Sequence, residues 1–231
     1  MMSKQPEASD EQTVHIAMST MADGSMSVGV TARTRDANRQ AFLERLGMNP
    51  GRTVLVALRY EGDDYCRYHT IGETMAGDGI VTPPSMVSDA LFTTTPDLAL
   101  FLPIADCIGA VLYDPVRHVL GLSHLGRHNL IGQGGAKSVR YMVEQFGSDP
   151  AAIVVFMSAA AGRAQYPLHD FDGRSLHDVA AEQLFSAGVS ARHLTVDPAD
   201  TTSEATLFSH SAFLKGQRML DGRQAIVATM R

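Results

Sequence analysis

The sequence has few cysteines and no long run of apolar residues. Two cysteines among 231 residues, Cys66 and Cys107, are too few for a disulfide scaffold. They indicate instead a free buried thiol or a ligand thiolate in a reducing compartment. No run approaches the roughly 18 apolar residues that a transmembrane helix needs. The polar N-terminus lacks the apolar segment of a signal peptide, so we expect a cytoplasmic protein with no membrane partner.

An excess of basic residues is also absent. The chain has 19 Lys and Arg against 25 Asp and Glu, which gives a net charge of −6. Phosphate contacts require a basic face that no stretch supplies, so the sequence argues against a nucleic-acid partner. With 45% hydrophobic residues, the chain can bury a sizeable core.

Turn signals and apolar runs predict the domain organisation. Residues 1–12 are expected to be a disordered tail, and residues 13–231 to form a single domain. Helices are predicted at Arg35–Leu46, Ala136–Phe146 and Gly173–Ala187. Strands are predicted at Val14–Met18, Thr53–Leu58, Tyr65–Tyr68, Ser88–Thr93, Leu98–Ile104, Gly109–Leu112, Val119–Leu122, Ala151–Ser158, Leu194–Val196 and Gln224–Thr229. Strands outnumber helices without strict alternation, which favours a mixed α+β fold.

The most informative stretch runs from Leu98 to Gly126. The tripeptide Ala105-Asp106-Cys107 separates two apolar runs, and a third run ends in Ser123-His124. If all three runs are strands of one sheet, Cys107 and His124 can lie at neighbouring positions in it. A thiol and an imidazole together can hold zinc or carry out acid–base chemistry. We therefore take this pair as the candidate site.

The surrounding motifs resemble a known family. The segment SDALFTTTPDLALFLPIADCIGAVLYDPVRHVLGLSHLG contains a T-x-x-P-x-x-x-L run, then A-D-C and a later histidine. It resembles the signature of the laccase-domain (YfiH-like) family, long called multicopper polyphenol oxidases. Weaker similarity extends to Asn38–Gly47, Phe208-Ser209-His210 and Gly222-Arg223.

The resemblance implies a fold, an activity and a metal site. It implies packed mixed β-sheets flanked by helices, and a zinc ion held by a His–Cys–His set. The implied activity is phosphorolysis of purine nucleosides with phosphate, with adenosine deamination beside it. By position, Cys107 and His124 match the cysteine and the second histidine of the family, and Glu61 falls where its first histidine stands. The expected metal ligands are therefore Glu61, Cys107 and His124, with His69 as another candidate.

Other matched positions suggest how a substrate would be held. The arginine of the family's H-A-G-W-R-G motif falls on His128, with Arg127 next to it, and a second family arginine falls on Ser211. Arg127 or His128 is expected to bind phosphate, because a guanidinium suits a phosphate group well. Asp106 is expected to orient the catalytic pair of Cys107 and His124. The residues supply no ligand set for several copper ions, so we expect no multicopper centre.

Two further functions remain open at this point. The replaced family residues favour a catalytically silent paralogue that binds a ligand or a partner. A metal-free hydrolase using Cys107 and His124 would need a hydrogen bond between them and an oxyanion hole. The orientation of Glu61 distinguishes a retuned site, in which it faces Cys107 and His124, from a decayed one, in which it faces solvent.

Overall fold

The computed structural model describes residues 13–231, which contain ten β-strands and five α-helices. The predicted tail at residues 1–12 lies outside the described residues. The strands are β1 (Val14–Met18), β2 (Thr53–Leu55), β3 (Tyr68–Thr70), β4 (Ala90–Thr93), β5 (Ala99–Ile104), β6 (Ile108–Asp114), β7 (Val119–Leu125), β8 (Val154–Met157), β9 (Leu194–Val196) and β10 (Gln224–Met230). The helices are α1 (Ala32–Arg45), α2 (Arg127–Ile131), α3 (Gly134–Phe146), α4 (Leu176–Ser186) and α5 (His210–Leu214).

The strands form two mixed sheets, which confirms the predicted fold class. The four-stranded sheet has the order β1-β10-β5-β2, in which β2 runs parallel to β5 and the other pairs are antiparallel. The six-stranded sheet has the order β3-β4-β7-β6-β8-β9. Its two outer pairs, β3 with β4 and β8 with β9, are parallel, and its central pairs are antiparallel.

The sheets and helices pack in layers. Leu100 and Ile226 of the four-stranded sheet share one apolar cluster with Val111 and Leu122 of the six-stranded sheet. On β5 the intervening residue Phe101 faces the other way, toward α1, as the two-residue period of a strand requires. Helices α3 and α4 cover the outer face of the six-stranded sheet. Burial on both sides explains why the central strands β5, β6, β7 and β10 are apolar almost throughout.

One expectation about the central stretch is wrong. The three apolar runs do not belong to one sheet, because β5 lies in the four-stranded sheet and β6 and β7 lie in the six-stranded one. The chain crosses between the sheets at Ala105–Cys107, where Asp106 adopts a left-handed backbone with φ of 72°. Cys107 therefore lies in a turn. Strands that are buried on both faces have the same apolar pattern in either sheet, so the pattern does not reveal which strands pair.

Side-chain caps mark where two of the helices begin. Ser175 caps α4, since its side chain accepts a hydrogen bond from the backbone N–H of Asp178. Ser209 caps α5 in the same way through Ala212. Helices α2 and α5 have only five residues each, too few for a helical period to show in the sequence. Within residues 13–231, no helix has the length and apolar character needed to cross a membrane.

Candidate active site

A pocket of about 470 Å³ opens beside the turn that joins the two sheets. Its walls come from that turn, from the end of β7, from the start of α2 and from α5. The lining residues are Tyr60, Ala105, Asp106, Cys107, His124, Gly126, Arg127, His128, Asn129, Tyr166, His210, Ser211, Leu214, Lys215 and Arg223. We call this space the active-site pocket.

The structure brings Cys107 and His124 together in this pocket. The backbone of β7 fixes His124, whose N–H donates to the carbonyl of Asp89 on the loop before β4 at 2.8 Å. Gly126 lies just beyond, and a Cβ placed on it would be 2.8 Å from Cys107 Sγ and 3.2 Å from His124 Nε2. Both reactive atoms therefore face one small space, although the two residues come from different structural units, a turn and a strand.

Burial controls the protonation of both groups. It lowers the pKa of His124 to about 4, with Arg67 and His128 adding to the effect and Asp89 opposing it. Burial and, to a smaller extent, the nearby Asp106 carboxylate together raise the pKa of the Cys107 thiol to about 12, while Arg223 opposes the change. At neutral pH the protein alone therefore presents a neutral imidazole beside an uncharged thiol. Neither ring nitrogen of His124 has a hydrogen-bond partner in the part of the chain that the structure describes.

The Asp106 side chain forms its hydrogen bonds with Thr201 and with the start of α5. Its carboxylate accepts hydrogen bonds from the Thr201 hydroxyl and from the backbone N–H of Ser211, each at 2.7 Å. Neither bond reaches Cys107 or His124, and the expectation that Asp106 orients this pair stays a prediction. The aspartate ties the turn between the sheets to the first residues of α5, which is the helix that carries His210 toward the pocket.

Positive charge surrounds the pair. Arg127 and His128, the predicted phosphate contacts, both line the pocket from the first turn of α2, and His128 stacks on Tyr65 with ring centroids 4.6 Å apart. Lys215 and Arg223 line other walls. Asp106 is the single carboxylate among these lining residues of the described chain, so the pocket favours an anion.

Glu61 does not join the site. Its side chain is 78% exposed and pairs with Arg59 at 2.8 Å. The preceding residue, Tyr60, lines the pocket instead, and its ring meets the His124 ring edge-on with centroids 6.1 Å apart. An offset of one residue after β2 thus decides which side chain faces His124, and sequence spacing in this irregular segment could not resolve it.

The residues present do not form the predicted zinc site. Cys107 and His124 offer two soft donors, and both nitrogens of His124 are unengaged within the described residues. The third donor is missing, because no three His, Cys, Asp or Glu side chains within residues 13–231 are arranged to hold a metal ion. The alternative ligand His69 directs its Nε2 to the carbonyl of Val87 at 3.1 Å. Zinc itself stays a prediction.

Several pocket residues were not identified from the sequence. Tyr60 comes from the segment after β2, far in the chain from His210, Lys215 and Arg223, so no local spacing connects it with them. His210 and Arg223 are joined through Asp221, which accepts hydrogen bonds from His210 at 3.1 Å and from Arg223 at 2.7 Å. The sequence did offer one signal for His210 and Arg223, which is their position inside the weakly matched F-S-H and G-R segments.

The fold and the pocket together define a mixed α/β protein in which two packed sheets present a half-buried cysteine and a buried histidine among cationic side chains. Comparison with known families agrees with this architecture. The sequence model described as "Multi-copper polyphenol oxidoreductase laccase" matches residues 17–172. The chain belongs to this laccase-domain family, and the resemblance seen in the motifs is confirmed.

Curated relatives are named as purine nucleoside phosphorylases. A Corynebacterium glutamicum protein of that name is 27% identical over 203 residues, which cover 79% of this chain and 78% of that protein. The Deinococcus radiodurans protein is 28% identical over 170 residues, covering 74% and 63%. The match to YlmD of Bacillus subtilis, 28% identical over 144 residues, spans about half the length of each chain.

Solved structures share the whole fold. The hypothetical protein YfiH from Bacillus licheniformis superposes with a TM-score of 0.83, covering 94% of this chain and 93% of its own at 21% identity. YlmD from Geobacillus stearothermophilus gives a TM-score of 0.81, covers 98% of both chains and is 20% identical. At these identities the similarity establishes the fold alone.

Proposed function

We propose that the protein is a purine nucleoside phosphorylase-like enzyme that cleaves purine nucleosides with phosphate. The observation that carries this proposal is the active-site pocket itself, in which Cys107 and His124 face a space bordered by Arg127, Lys215 and Arg223. The names of the relatives point to the same reaction. A volume of about 470 Å³ lies in the range of small-molecule sites.

The chemistry that the pocket would support is displacement at the sugar. An oxygen of dihydrogen phosphate forms a bond to the anomeric carbon while the bond from that carbon to the base nitrogen breaks. The base leaves with the electron pair and takes up the proton that the phosphate brought, so the products are the sugar 1-phosphate and the free base. In this assignment Arg127 and His128 hold the phosphate, because its charge is best stabilised by preorganised donors.

The pair of Cys107 and His124 would act on the other reactant. The Cys107 thiol keeps its proton at neutral pH, so it can donate a weak hydrogen bond, and the neutral His124 can accept or donate one. Tyr60 and Tyr166 add aromatic surface on which a purine can pack.

The test is phosphate-dependent release of hypoxanthine from inosine and of adenine from adenosine by the purified protein. We expect Cys107→Ala and His124→Ala to lower kcat, and Arg127→Gln to raise the KM for phosphate. Cys66→Ala, which removes the cysteine outside the pocket, is the matched control and should retain activity. Inosine formed from adenosine without phosphate would report the separate deaminase activity. Failure of the wild-type protein to release either base would overturn the proposal.

A second candidate is a binding protein without catalysis, and the position of Glu61 favours it. Glu61 faces solvent in a pair with Arg59, the arrangement expected of a decayed metal site. Under this alternative, calorimetry would detect inosine binding that Tyr60→Ala weakens, with no turnover in phosphate. The metal-free hydrolase finds no support in the geometry, because His124 forms no hydrogen bond to Cys107 within the described residues.

A further inference from the structure

A second cavity of about 690 Å³ adjoins the active-site pocket. Helix α1, the segment after β2 and the loop from Gly79 to Pro84 enclose it. Tyr60 and Arg223 line both spaces, so these two side chains form the shared wall. We call it the Arg39 cavity, after the charged residue buried in it.

Arg39 is buried without a counter-ion. The residue is 5% exposed, and its Nε and Nη1 donate to the carbonyls of Met26 at 2.8 Å and Gly79 at 3.1 Å. Its guanidinium carbon lies 5.8 Å from the centre of the Phe101 ring. Both acceptors are neutral, and no ion pair to Arg39 occurs among the residues that the structure describes. A buried charge with only neutral partners is costly.

The nearby charges do not neutralise Arg39. Asp36, the carboxylate that lines the cavity, pairs with Arg35 at 2.8 Å, and Arg223 pairs with Asp221 at 2.7 Å. Burial and, to a smaller extent, Arg35 together lower the pKa of Arg39 to about 10, while Asp36 opposes the change. Three arginines and one aspartate thus line the cavity, and the deepest arginine is the one without a carboxylate.

We propose that the Arg39 cavity binds a phosphate group, either free or carried by a small organic monoester. The Nη2 edge of Arg39 and the side chains of Arg35 and Arg223 would meet the phosphate oxygens, because a guanidinium fork matches a tetrahedral oxyanion. Apolar walls that include Leu58, Ile80 and Pro103 can pack against the organic part of a monoester. This site is separate from the phosphate position in the active-site pocket and does not depend on the proposed reaction.

The binding test uses the whole chain and two probes, inorganic phosphate and ribose 5-phosphate, titrated in a calorimeter. Arg39→Gln removes the charge, and Thr82→Trp fills the cavity from its exposed rim without touching the arginine. Arg45→Gln is the matched control, because Arg45 lies on the same helix but pairs with Asp23 outside the cavity. Arg127→Gln removes the proposed phosphate contact of the active-site pocket.

The expected result is that Arg39→Gln and Thr82→Trp each weaken binding of at least one probe tenfold or more. Arg45→Gln should leave the affinity for both probes unchanged. Arg127→Gln should retain the part of the probe binding that is lost in Arg39→Gln. Stronger binding of ribose 5-phosphate than of phosphate would identify a site for a phosphate monoester. Stronger binding of phosphate would identify a site for the free ion. If Arg39→Gln fails to fold, Thr82→Trp alone decides the test.

Two outcomes would overturn the inference. One is that neither probe binds to the wild-type protein. The other is that all binding is lost in Arg127→Gln and unchanged in Thr82→Trp, which would place the only phosphate site in the active-site pocket. That second result would leave the proposed function intact. Conversely, a wild-type protein that releases no base but still shows Arg39-dependent binding would overturn the proposed function and leave this inference standing.

Discussion

Cys107 Sγ and His124 Nε2 both border the small space that the missing side chain of Gly126 leaves open. A Cβ on Gly126 would lie 2.8 Å from the sulfur and 3.2 Å from the nitrogen. The backbone of Gly126, with φ of −99°, is accessible to any residue. Space, and not backbone freedom, therefore accounts for glycine at this position, and a substrate atom that meets both groups must enter the same space.

Gly126→Ala should impair the active site more than the fold. The added methyl group forces Cys107 or His124 to move, which we expect to lower kcat for base release at least tenfold. Overpacking of this kind costs about 1–3 kcal/mol in the free energy of unfolding. Steady-state kinetics and denaturant unfolding measure the two effects. Gly72→Ala is the control, since its Cβ would meet nothing closer than Thr95 Oγ1 at 3.7 Å. Equal kinetics for the two variants would contradict the prediction.

His124 should make the protein less stable in mild acid. Its pKa is lowered from 6.5 to about 4 in the folded chain, so between these values the unfolded chain binds more protons than the folded one. The stabilising contribution of neutral His124 is complete above pH 6.5 and is lost as the pH falls toward 4. The loss amounts to about 3 kcal/mol at most.

Denaturant unfolding at pH 7 and pH 4.5 measures this contribution. In His124→Asn the decrease in the free energy of unfolding between the two pH values should be smaller than in the wild-type protein. His15→Asn, at an exposed position on β1, should leave the pH dependence unchanged. An identical pH dependence in the wild type and in His124→Asn would show that His124 titrates normally.

Glu61→Ala should affect neither metal content nor catalysis. The carboxylate is exposed, pairs with Arg59 and does not line the active-site pocket. Whatever zinc copurifies with the wild-type protein, measured by elemental analysis, should therefore be unchanged in Glu61→Ala and reduced in Cys107→Ala. Loss of zinc in Glu61→Ala would restore the ligand set expected from the sequence and would show that the segment after β2 rearranges on metal binding.

Substitution of Asp106 should loosen α5. Asp106→Asn keeps a side chain that tolerates the left-handed backbone but weakens two charge-assisted hydrogen bonds, at a cost of about 1 kcal/mol. Asp106→Ala removes both bonds and adds backbone strain, at a cost of about 3 kcal/mol. Thermal unfolding should rank the variants in this order. Asp63→Asn, on an exposed loop, should match the wild type, and a reversed order of the two Asp106 variants would contradict the assigned role.

Much of the fold could be predicted from the sequence because its signals are local. The strand Val14–Met18, the cap at Ser175 and the strand Leu194–Val196 follow from residues within a few positions of one another. Sheet membership is different, because it depends on pairing across the chain. Nothing in the apolar run at β5 distinguishes pairing with β10 from pairing with β6, and the assumption of one sheet failed there.

The residues of the candidate site could likewise be predicted only where their sequence signals are local. The motif around Cys107 and His124 could be read directly, and both residues do line one pocket. Tyr60 could not be distinguished from Glu61, because a one-residue shift in an irregular segment reverses which side chain faces inward. The link from His210 through Asp221 to Arg223 requires a turn between α5 and β10 that leaves no periodic pattern.

The crossing of the chain between the sheets at Ala105–Cys107 has a consequence for folding. The half-buried surroundings of Cys107 exist only when the four-stranded and six-stranded sheets are docked, because each sheet supplies one strand beside the turn. A partially folded chain with either sheet formed alone would leave this thiol open to solvent. In a Cys66→Ala background, the increase in the rate at which a small alkylating reagent labels Cys107 as denaturant is added, over the rate in the native protein, therefore reports separation of the two sheets.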